Sequence, residues 1–220
     1  FSTLGIFPYG AASIIGSIVG EGSPDASWTV LLQRCAWEDH AAFVLPGVLS
    51  IVWPFVPDRP TRSDVFVEDC SMDGSVGLST NDASFDSLFF LMDLDRTNTA
   101  RITRTRLAQS GNFNPAAQGQ GGVALYLGGA DPSTSPALDF TGMECVGNAA
   151  AVGPCGCVPQ GGFTLRYRQC LFQDNIAYKG GGAIAIPGLP GSELIVETST
   201  FERNAVRVPQ DGRTTDVTVL

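Results

Sequence analysis

The chain is 220 residues long and carries 22 acidic against 13 basic residues, a net charge of −9. That balance weighs against nucleic acid as a partner, because phosphate binding requires clustered Lys and Arg. With 44 % hydrophobic residues, only 16 % charged ones and 26 glycines, the chain has the means to bury a substantial core, and β folds of this length often remain one domain over their whole span, here 1–220.

In chain order, residues 1–27 read as an incomplete first repeat, apolar at Ile14, Ile15, Ile18 and Val19. An eleven-residue pattern then opens at Val30–His40, with Val30 and Leu32 at the first and third places, Cys35 sixth, Trp37 eighth and His40 eleventh. Phe43–Val56 is the most apolar window. It is too short to span a bilayer as a helix and holds Pro46 and Pro54, so a buried β segment is expected. Val65–Ser75 repeats the pattern with Val65, Val67, Cys70, Met72 and Ser75, and Ser87–Leu94 follows as a further strand. Ala100–Ser110 is the faintest copy, with Ile102, Thr105 and Leu107, and Gly121–Leu127 is its later strand. Leu138–Asn148 places Met143 sixth, Cys145 eighth and Asn148 eleventh, and a Cys-, Pro- and Gly-rich insertion is expected over 149–162. Leu165–Asn175 and Leu194–Asn204 are the clearest copies, with Phe172 and Phe201 eighth and Asn175 and Asn204 eleventh. Val217 and Val219 resemble the opening of a seventh copy, so the chain is expected to be the ordered part of a longer polypeptide.

The copies start 35, 35, 38, 27 and 29 residues apart, a period that points to a solenoid, propeller or array. Residues two apart on a strand share a face, so the first and third places face one way, as do the sixth and eighth. The odd step between the two sets reverses parity and demands a corner. Each unit therefore reads as strand, bend, strand, bend, with Asn at the second bend, where it is expected to take the left-handed conformation and to stack as an amide ladder. The glycine corner Gly180-Gly181-Gly182 leads into a third strand. A helical reading fails because the runs are short, rich in Val, Ile, Phe and Thr, and broken by Gly and Pro. The expectation is an all-β fold, a right-handed single-stranded parallel β-helix of about six to seven coils. At ~4.8 Å per coil it stands roughly 30 Å tall. Trp37, Met72, Leu107, Cys145, Phe172 and Phe201 should form its inward stack, and Asn148, Asn175 and Asn204 its corner ladder.

Phe172-Gln173-Asp174-Asn175 followed by Gly181-Gly182-Ala183-Ile184 resembles the FxxN and GGA-I/L/V motifs of the polymorphic outer membrane protein repeat. The resemblance covers residues 138–204 and extends over 28–137 in pattern rather than in letters. It implies a right-handed β-helix displayed outside the cell, as in secreted and surface adhesins. The expected fold also resembles that of the pectin-lyase-like enzymes. Those enzymes carry acidic pairs with a His or a basic arrangement on one outer face.

Cys35 and Cys70 share the sixth place in consecutive repeats. In-register strands lie ~4.8 Å apart, within the Cα separation a disulfide accepts, so these two are expected to be bonded. Cys145, Cys155, Cys157 and Cys170 are expected to pair among themselves, with their connectivity left open. A zinc site in this group fits less well, since it lacks the paired C-x-x-C spacing and has no His nearby; no metal or cofactor is expected. Buried free thiols in a reducing cell are the alternative, and disulfides in an oxidising space the better fit.

Polysaccharide hydrolysis needs two carboxylates at set separations. The best acidic cluster is Asp93 and Asp95 beside Arg96, with Asp69 and Asp73 one repeat earlier. A solvated surface accounts for it better than catalysis. His40, the only histidine, reads as a corner filler. Arg104 and Arg106 share an outer strand face, and Arg166 and Arg168 alternate outward without a matching acidic motif. Two classes follow. One is a non-catalytic structural or adhesive solenoid, extracellular or on the cell surface, whose partners are further copies or further coils at both ends, with glycans on its outer face. The other is a carbohydrate-active enzyme or glycan-binding module.

Overall fold

The structure is a computed structural model that describes residues 12–15, 27–39, 41–42, 49–52, 62–77, 90–94, 99–113, 124–128, 137–160, 164–186, 193–210 and 213–217. Among these residues the chain is all-β, without a helix. The strands follow one another as β1 (Ala12–Ile15), β2 (Ser27–Gln33), β3 (Ala36–Glu38), β4 (Ala41–Ala42), β5 (Leu49–Val52), β6 (Arg62–Glu68), β7 (Ser71–Asp73), β8 (Val76–Gly77) and β9 (Phe90–Leu94). Then come β10 (Thr99–Thr103), β11 (Arg106–Ala108), β12 (Ala124–Gly128), β13 (Ala137–Thr141), β14 (Glu144–Val146), β15 (Ala149–Val152) and β16 (Gly156–Gln160). The last are β17 (Thr164–Arg168), β18 (Leu171–Gln173), β19 (Ile176–Gly180), β20 (Ile184–Ala185), β21 (Glu193–Glu197), β22 (Thr200–Glu202), β23 (Ala205–Gln210) and β24 (Arg213–Val217).

These strands stack in the order of the repeats. A first sheet runs β2-β6-β10-β13-β17-β21, and a second runs β3-β7-β11-β14-β18-β22. A third holds β15-β19-β23-β24, joined through bridges at Gly111 to the pair β4-β8. A fourth runs β1-β5-β9-β12-β16-β20. The repeats follow the same order through these sheets, the third repeat touching the third sheet only at Gly111 and the sixth adding no described strand to the fourth. Every pairing except β23 with β24 is parallel between counterparts one repeat apart. This stacking of parallel sheets is compatible with a parallel β-helix.

The corners explain the eleven-residue spacing, and they differ from the expectation. The left-handed residues are at the fifth and tenth places, not at the Asn. Arg34, Asp69, Arg104, Gly142, Gln169 and Thr198 have φ of 55, 52, 47, 63, 54 and 51°, and Asp39, Asp174 and Arg203 have 53, 55 and 50°. Non-glycine residues pay for this conformation in steric strain. What holds them there is the ladder: the corner N–H of Arg34 donates to Glu68 O at 3.0 Å, Asp69 to Thr103 O at 3.1 Å and Asp174 to Glu202 O at 3.0 Å. The corner backbone groups are thus satisfied by the next repeat. Where the sixth place carries a hydroxyl or thiol, that group donates back to the carbonyl two residues earlier, as Cys70 does to Glu68 O, Thr105 to Thr103 O and Ser199 to Glu197 O, whereas Met143, which has no donor, packs in the core. Gly111 is fixed by close approach: it bridges Val76 and Ala149 at φ 129°, and a Cβ there would overlap the Ala149 carbonyl.

The core lies between the first and second sheets. Val65, Val67, Ala100, Ile102, Leu138, Phe140, Leu165 and Tyr167 are buried along the first sheet, with the eighth-place residues facing them from the second. Phe140 stacks on Tyr167 with centroids 4.5 Å apart, and Tyr167 meets Phe172 edge-on at 5.2 Å. The Tyr167 hydroxyl is buried without a hydrogen-bond partner among the described residues. Tyr167→Phe should therefore be neutral to stabilising by about 1 kcal/mol, because it removes a desolvated donor while keeping the ring. A matched pair of urea titrations reads this out, and a loss above about 1 kcal/mol would reveal a partner for the hydroxyl.

Three further expectations need correction. Within the expected insertion, residues 149–160 hold β15 and β16, which take the regular third- and fourth-sheet positions, and residues 161 and 162 lie outside the described ones. A short strand, missed in the sequence, follows directly after the eleventh place in most repeats, as β19 does after Asn175. Val217 does not open a seventh repeat either. β24 turns back antiparallel on β23, with Val206 opposite Val217 and Gln210 opposite Arg213. Alternating apolar residues suit a strand of either direction, so the pattern held no sign of the reversal.

Candidate functional site

Three features run along the stack: an inner column, a buried amide ladder and an outer set of ion pairs. In the inner column Trp37 pairs with Met72, Met72 with Leu107, Leu107 with Cys145, Cys145 with Phe172, and Phe172 with Phe201. Met72, Leu107, Cys145 and Phe172 are fully buried and Trp37 nearly so, whereas Phe201 is 38 % exposed. Phe172 and Phe201 stack at 4.5 Å.

At the eleventh place, Asn148 N–H donates to Asn175 Oδ1 at 3.0 Å and Asn175 N–H to Asn204 Oδ1 at 3.2 Å. Each Nδ2 reaches a carbonyl of the preceding repeat: Asn148 to Leu107 O, Asn175 to Cys145 O and Asn204 to Phe172 O. Ser110 extends the row, accepting from Ser75 N–H at 3.1 Å while its own N–H donates to Asn148 Oδ1 at 3.0 Å. All of these residues are buried, so the ladder satisfies polar groups that water does not reach. His40, at the same place in the first repeat, lies outside the described residues.

The outer surface is laced by charge pairs between neighbouring repeats. Arg104 holds Asp69 in a two-pronged contact of 2.6 and 3.0 Å, and Arg203 holds Asp174 likewise at 2.6 and 2.9 Å. Arg106 meets Glu144 at 3.1 Å, Arg166 meets Asp139 at 3.3 Å and Arg168 meets Glu197 at 2.6 Å. The expected shared face of Arg104 and Arg106 is corrected: Arg104 occupies a left-handed corner and Arg106 a strand, and they engage different partners. The sequence signal for the two corner pairs was present but unread, since Asp69 and Arg104 share the fifth place and Asp174 and Arg203 the tenth. Asp73 follows on β7, and Asp93 lies on β9 in a different sheet, so the acidic cluster is not gathered on one sheet. Asp95 and Arg96 lie outside the described residues.

The hydrogen bond from Arg104 holds the Asp69 carboxyl below its ordinary range, and that from Arg203 does the same for Asp174. A carboxyl whose folded pKa is depressed contributes stability above its unfolded pKa, and loses it as pH falls through the folded value. Asp69→Asn and Asp174→Asn should therefore lower stability slightly at neutral pH, slightly because both pairs are solvent-screened, and flatten the acid limb below about pH 4, where the variants converge on the parent chain. Urea midpoints measured across that range check this; an unchanged acid slope in the double variant refutes it.

Cys35 and Cys70 are free thiols, which corrects the expected bond. Sharing one place in successive repeats brings the two thiols into contact, and both remain unbonded, Cys35 donating to Gln33 O at 3.7 Å and Cys70 lying 3.2 Å from Glu68 O and 3.6 Å from Leu32 O of the preceding repeat. Cys145 and Cys155 form a disulfide. Cys170 is a buried thiol donating to Arg168 O at 3.3 Å, so it does not pair within the later group as expected. The Cys157 side chain lies outside the described residues. Burial pushes the Cys70 and Cys170 thiols up, which suppresses the thiolate that reactivity requires. Among the described residues no three His, Cys, Asp or Glu side chains converge as a metal set, and no helix is long and apolar enough to cross a membrane.

At the β21–β22 end of the stack, Leu194, Val196 and Phe201 are 47 %, 42 % and 38 % exposed, although the same places one repeat earlier are fully buried. No family model, curated protein or solved structure matches the chain. The class defined by the fold alone is an all-β protein of parallel strands in stacked sheets.

Proposed function

We propose that the chain is a right-handed, single-stranded parallel β-helix that serves as a non-catalytic structural or adhesive block outside the cell, assembled through its ends. The observation that carries this is the inner column continuing at core register into β22 and leaving Leu194, Val196 and Phe201 open there. A repeat cannot bury its apolar face alone, so a stack that ends on such a face is completed by more protein. Right-handedness follows the rule for parallel crossovers. The Cys145–Cys155 disulfide favours an oxidising compartment. Asp69, one carboxylate of the acidic cluster, pairs with Arg104 and is held below its ordinary range, which suits a surface ion pair better than a general acid. The outer faces remain available for glycans or adhesion, and the resemblance to the outer membrane protein repeat points the same way.

The test combines sedimentation over a concentration series with incubation on acidic polysaccharides, scoring reducing ends and unsaturated products. Concentration-dependent association without product is expected. Turnover of any polysaccharide, or a monomer at every concentration, overturns the reading.

A further inference from the structure

Cys35 and Cys70 hold the same sixth place in neighbouring repeats, and their thiols touch without being bonded. The backbone around them is in register: Arg34 N–H donates to Glu68 O at 3.0 Å, Ser71 N–H donates to Cys35 O at 2.9 Å, and Ala36 lies opposite Ser71. Parallel in-register strands point their Cα–Cβ bonds the same way, which leaves the two Cβ atoms about 4.8 Å apart. A disulfide draws Cβ atoms to about 3.8 Å, so a bond here forms only by pulling two ladder-held corners together, and it is easily reduced. The two thiols are unequal. Cys35 is partly exposed and Cys70 is buried, and burial pushes the Cys70 thiol up, so Cys35 meets a dissolved reagent first. The other described cysteines lack this arrangement. Cys145 and Cys155 are already joined and buried, and Cys170 is buried between Met143 and Ser199 at its own place.

We propose that Cys35 and Cys70 form a reversible dithiol–disulfide switch, a modification site for small soluble disulfides of the glutathione type. The inference goes beyond end assembly and does not rest on it. The Cys35 thiolate attacks one sulfur of the disulfide RS–SR. Its S–S bond breaks, one RS⁻ leaves and takes up the proton that Cys35 released, and Cys35 is left as a mixed disulfide. Cys70 then loses its proton, its thiolate attacks Cys35 Sγ, and the second RS⁻ leaves and is protonated. Two protein thiols are oxidised and one disulfide is reduced to two thiols, with no other reagent. Contact between the sulfurs makes the second step intramolecular, which offsets the small thiolate fraction of a buried thiol. Excess RSH reverses both steps. Closure ties the β2–β3 repeat to the β6–β7 repeat between positions 35 residues apart, which limits the freedom of β2 and β3 to open.

The test equilibrates the folded 220-residue chain in buffers of graded oxidised-to-reduced glutathione ratio, quenches with acid, alkylates free thiols and maps peptides by mass. The expected product is a linked Cys35–Cys70 peptide that appears as the ratio rises and disappears when it is lowered again, while Cys145–Cys155 stays closed and Cys170 stays free. Half-closure should need a ratio at least about tenfold more oxidising than the one at which Cys145–Cys155 half-opens. Cys70→Ser should stop at the Cys35 mixed disulfide, and Cys35→Ser should leave Cys70 unmodified. Serine already holds the sixth place at Ser199, so both variants suit the repeat. A linked peptide that persists at every ratio makes the pair a permanent bond and overturns the switch. Cys35 left unmodified throughout overturns it too, as does a Cys35 mixed disulfide that accumulates in the parent chain without linkage. Modification of Cys70 in the Cys35→Ser chain at the parent's rate overturns the assigned order of attack.

Discussion

Phe172→Ala should destabilise the protein by about 3–5 kcal/mol, the range for deleting a fully buried aromatic ring. Phe172 has no exposure, meets Tyr167 edge-on at 5.2 Å and stacks on Phe201 at 4.5 Å. Its backbone lies between Cys145 and Phe201 in an unbroken parallel register. The flanking corners are tied to the next repeat, Gln169 N–H to Glu197 O and Asp174 N–H to Glu202 O, both at 3.0 Å. A site framed this way collapses poorly, so the cavity persists and the cost belongs near the top of the range. In melting temperature this corresponds to a fall of roughly 6–20 °C for a chain of this size. Phe201→Ala supplies the internal control. Its ring is 38 % exposed and covered from one side only, so it should cost less than half as much. Equal costs for the two would mean that Phe201 is covered in solution, which the sedimentation series would then show as assembly.

The inner column was legible because it rests on two things a sequence displays, period-two apolarity and a fixed repeat length. Places one, three and eight could be aligned from Val30 to Phe201 without knowing any contact. The corners were not legible in the same way. The left-handed residues of the fifth place, Arg34, Asp69, Arg104, Gly142, Gln169 and Thr198, share no conformational preference, whereas the tenth place carries a partial one in Asp39, Gly74, Gly147 and Asp174. Thr198, β-branched, is among the worst choices for a positive φ. The hydrogen bonds to the neighbouring repeat impose the conformation, and such bonds leave no mark on composition. Asn was assigned the bend because it tolerates that conformation; it stands one residue later, where its value is as a two-ended amide. The thiols show a related limit. Backbone proximity of Cys35 and Cys70 followed from the register, but the sulfur orientation depends on the back-bond that the hydroxyls and thiols of the sixth place make. The ion pairs were in principle readable, since Asp and Arg recur at one place in adjacent repeats, and the exposed end was not, since nothing within a repeat says which copy is last in the stack.

Asn175→Ala should cost about 3–6 kcal/mol, because it orphans several buried groups at once. The Asn175 amide accepts from Asn148 N–H at 3.0 Å and from Asn148 Nδ2 at 3.2 Å. It donates to Cys145 O at 2.9 Å and to Asn204 Oδ1 at 2.8 Å. Every one of these partners is buried. Truncation leaves the Asn148 N–H without its acceptor and the Cys145 carbonyl without its donor, and each such loss carries about 1–3 kcal/mol of unreturned desolvation. Two variants separate the ladder from simple loss of volume. Asn175→Ser should be the milder, because Ser110 already works at this place, accepting from Ser75 N–H and donating to Ala108 O at 2.7 Å. Asn175→Asp keeps the acceptor but loses both donors and sets a carboxylate against two oxygens, so at neutral pH it should cost at least as much as Ala. Its pH dependence runs opposite to that of Asp69 and Asp174. A buried carboxyl without cations titrates above its unfolded value, so the folded state binds its proton more readily and the penalty eases as pH falls. Chemical unfolding at neutral and mildly acidic pH measures all three. If Ala and Ser lie within about 0.5 kcal/mol of the parent chain, the amide column contributes nothing and the stack is held by its apolar rows alone.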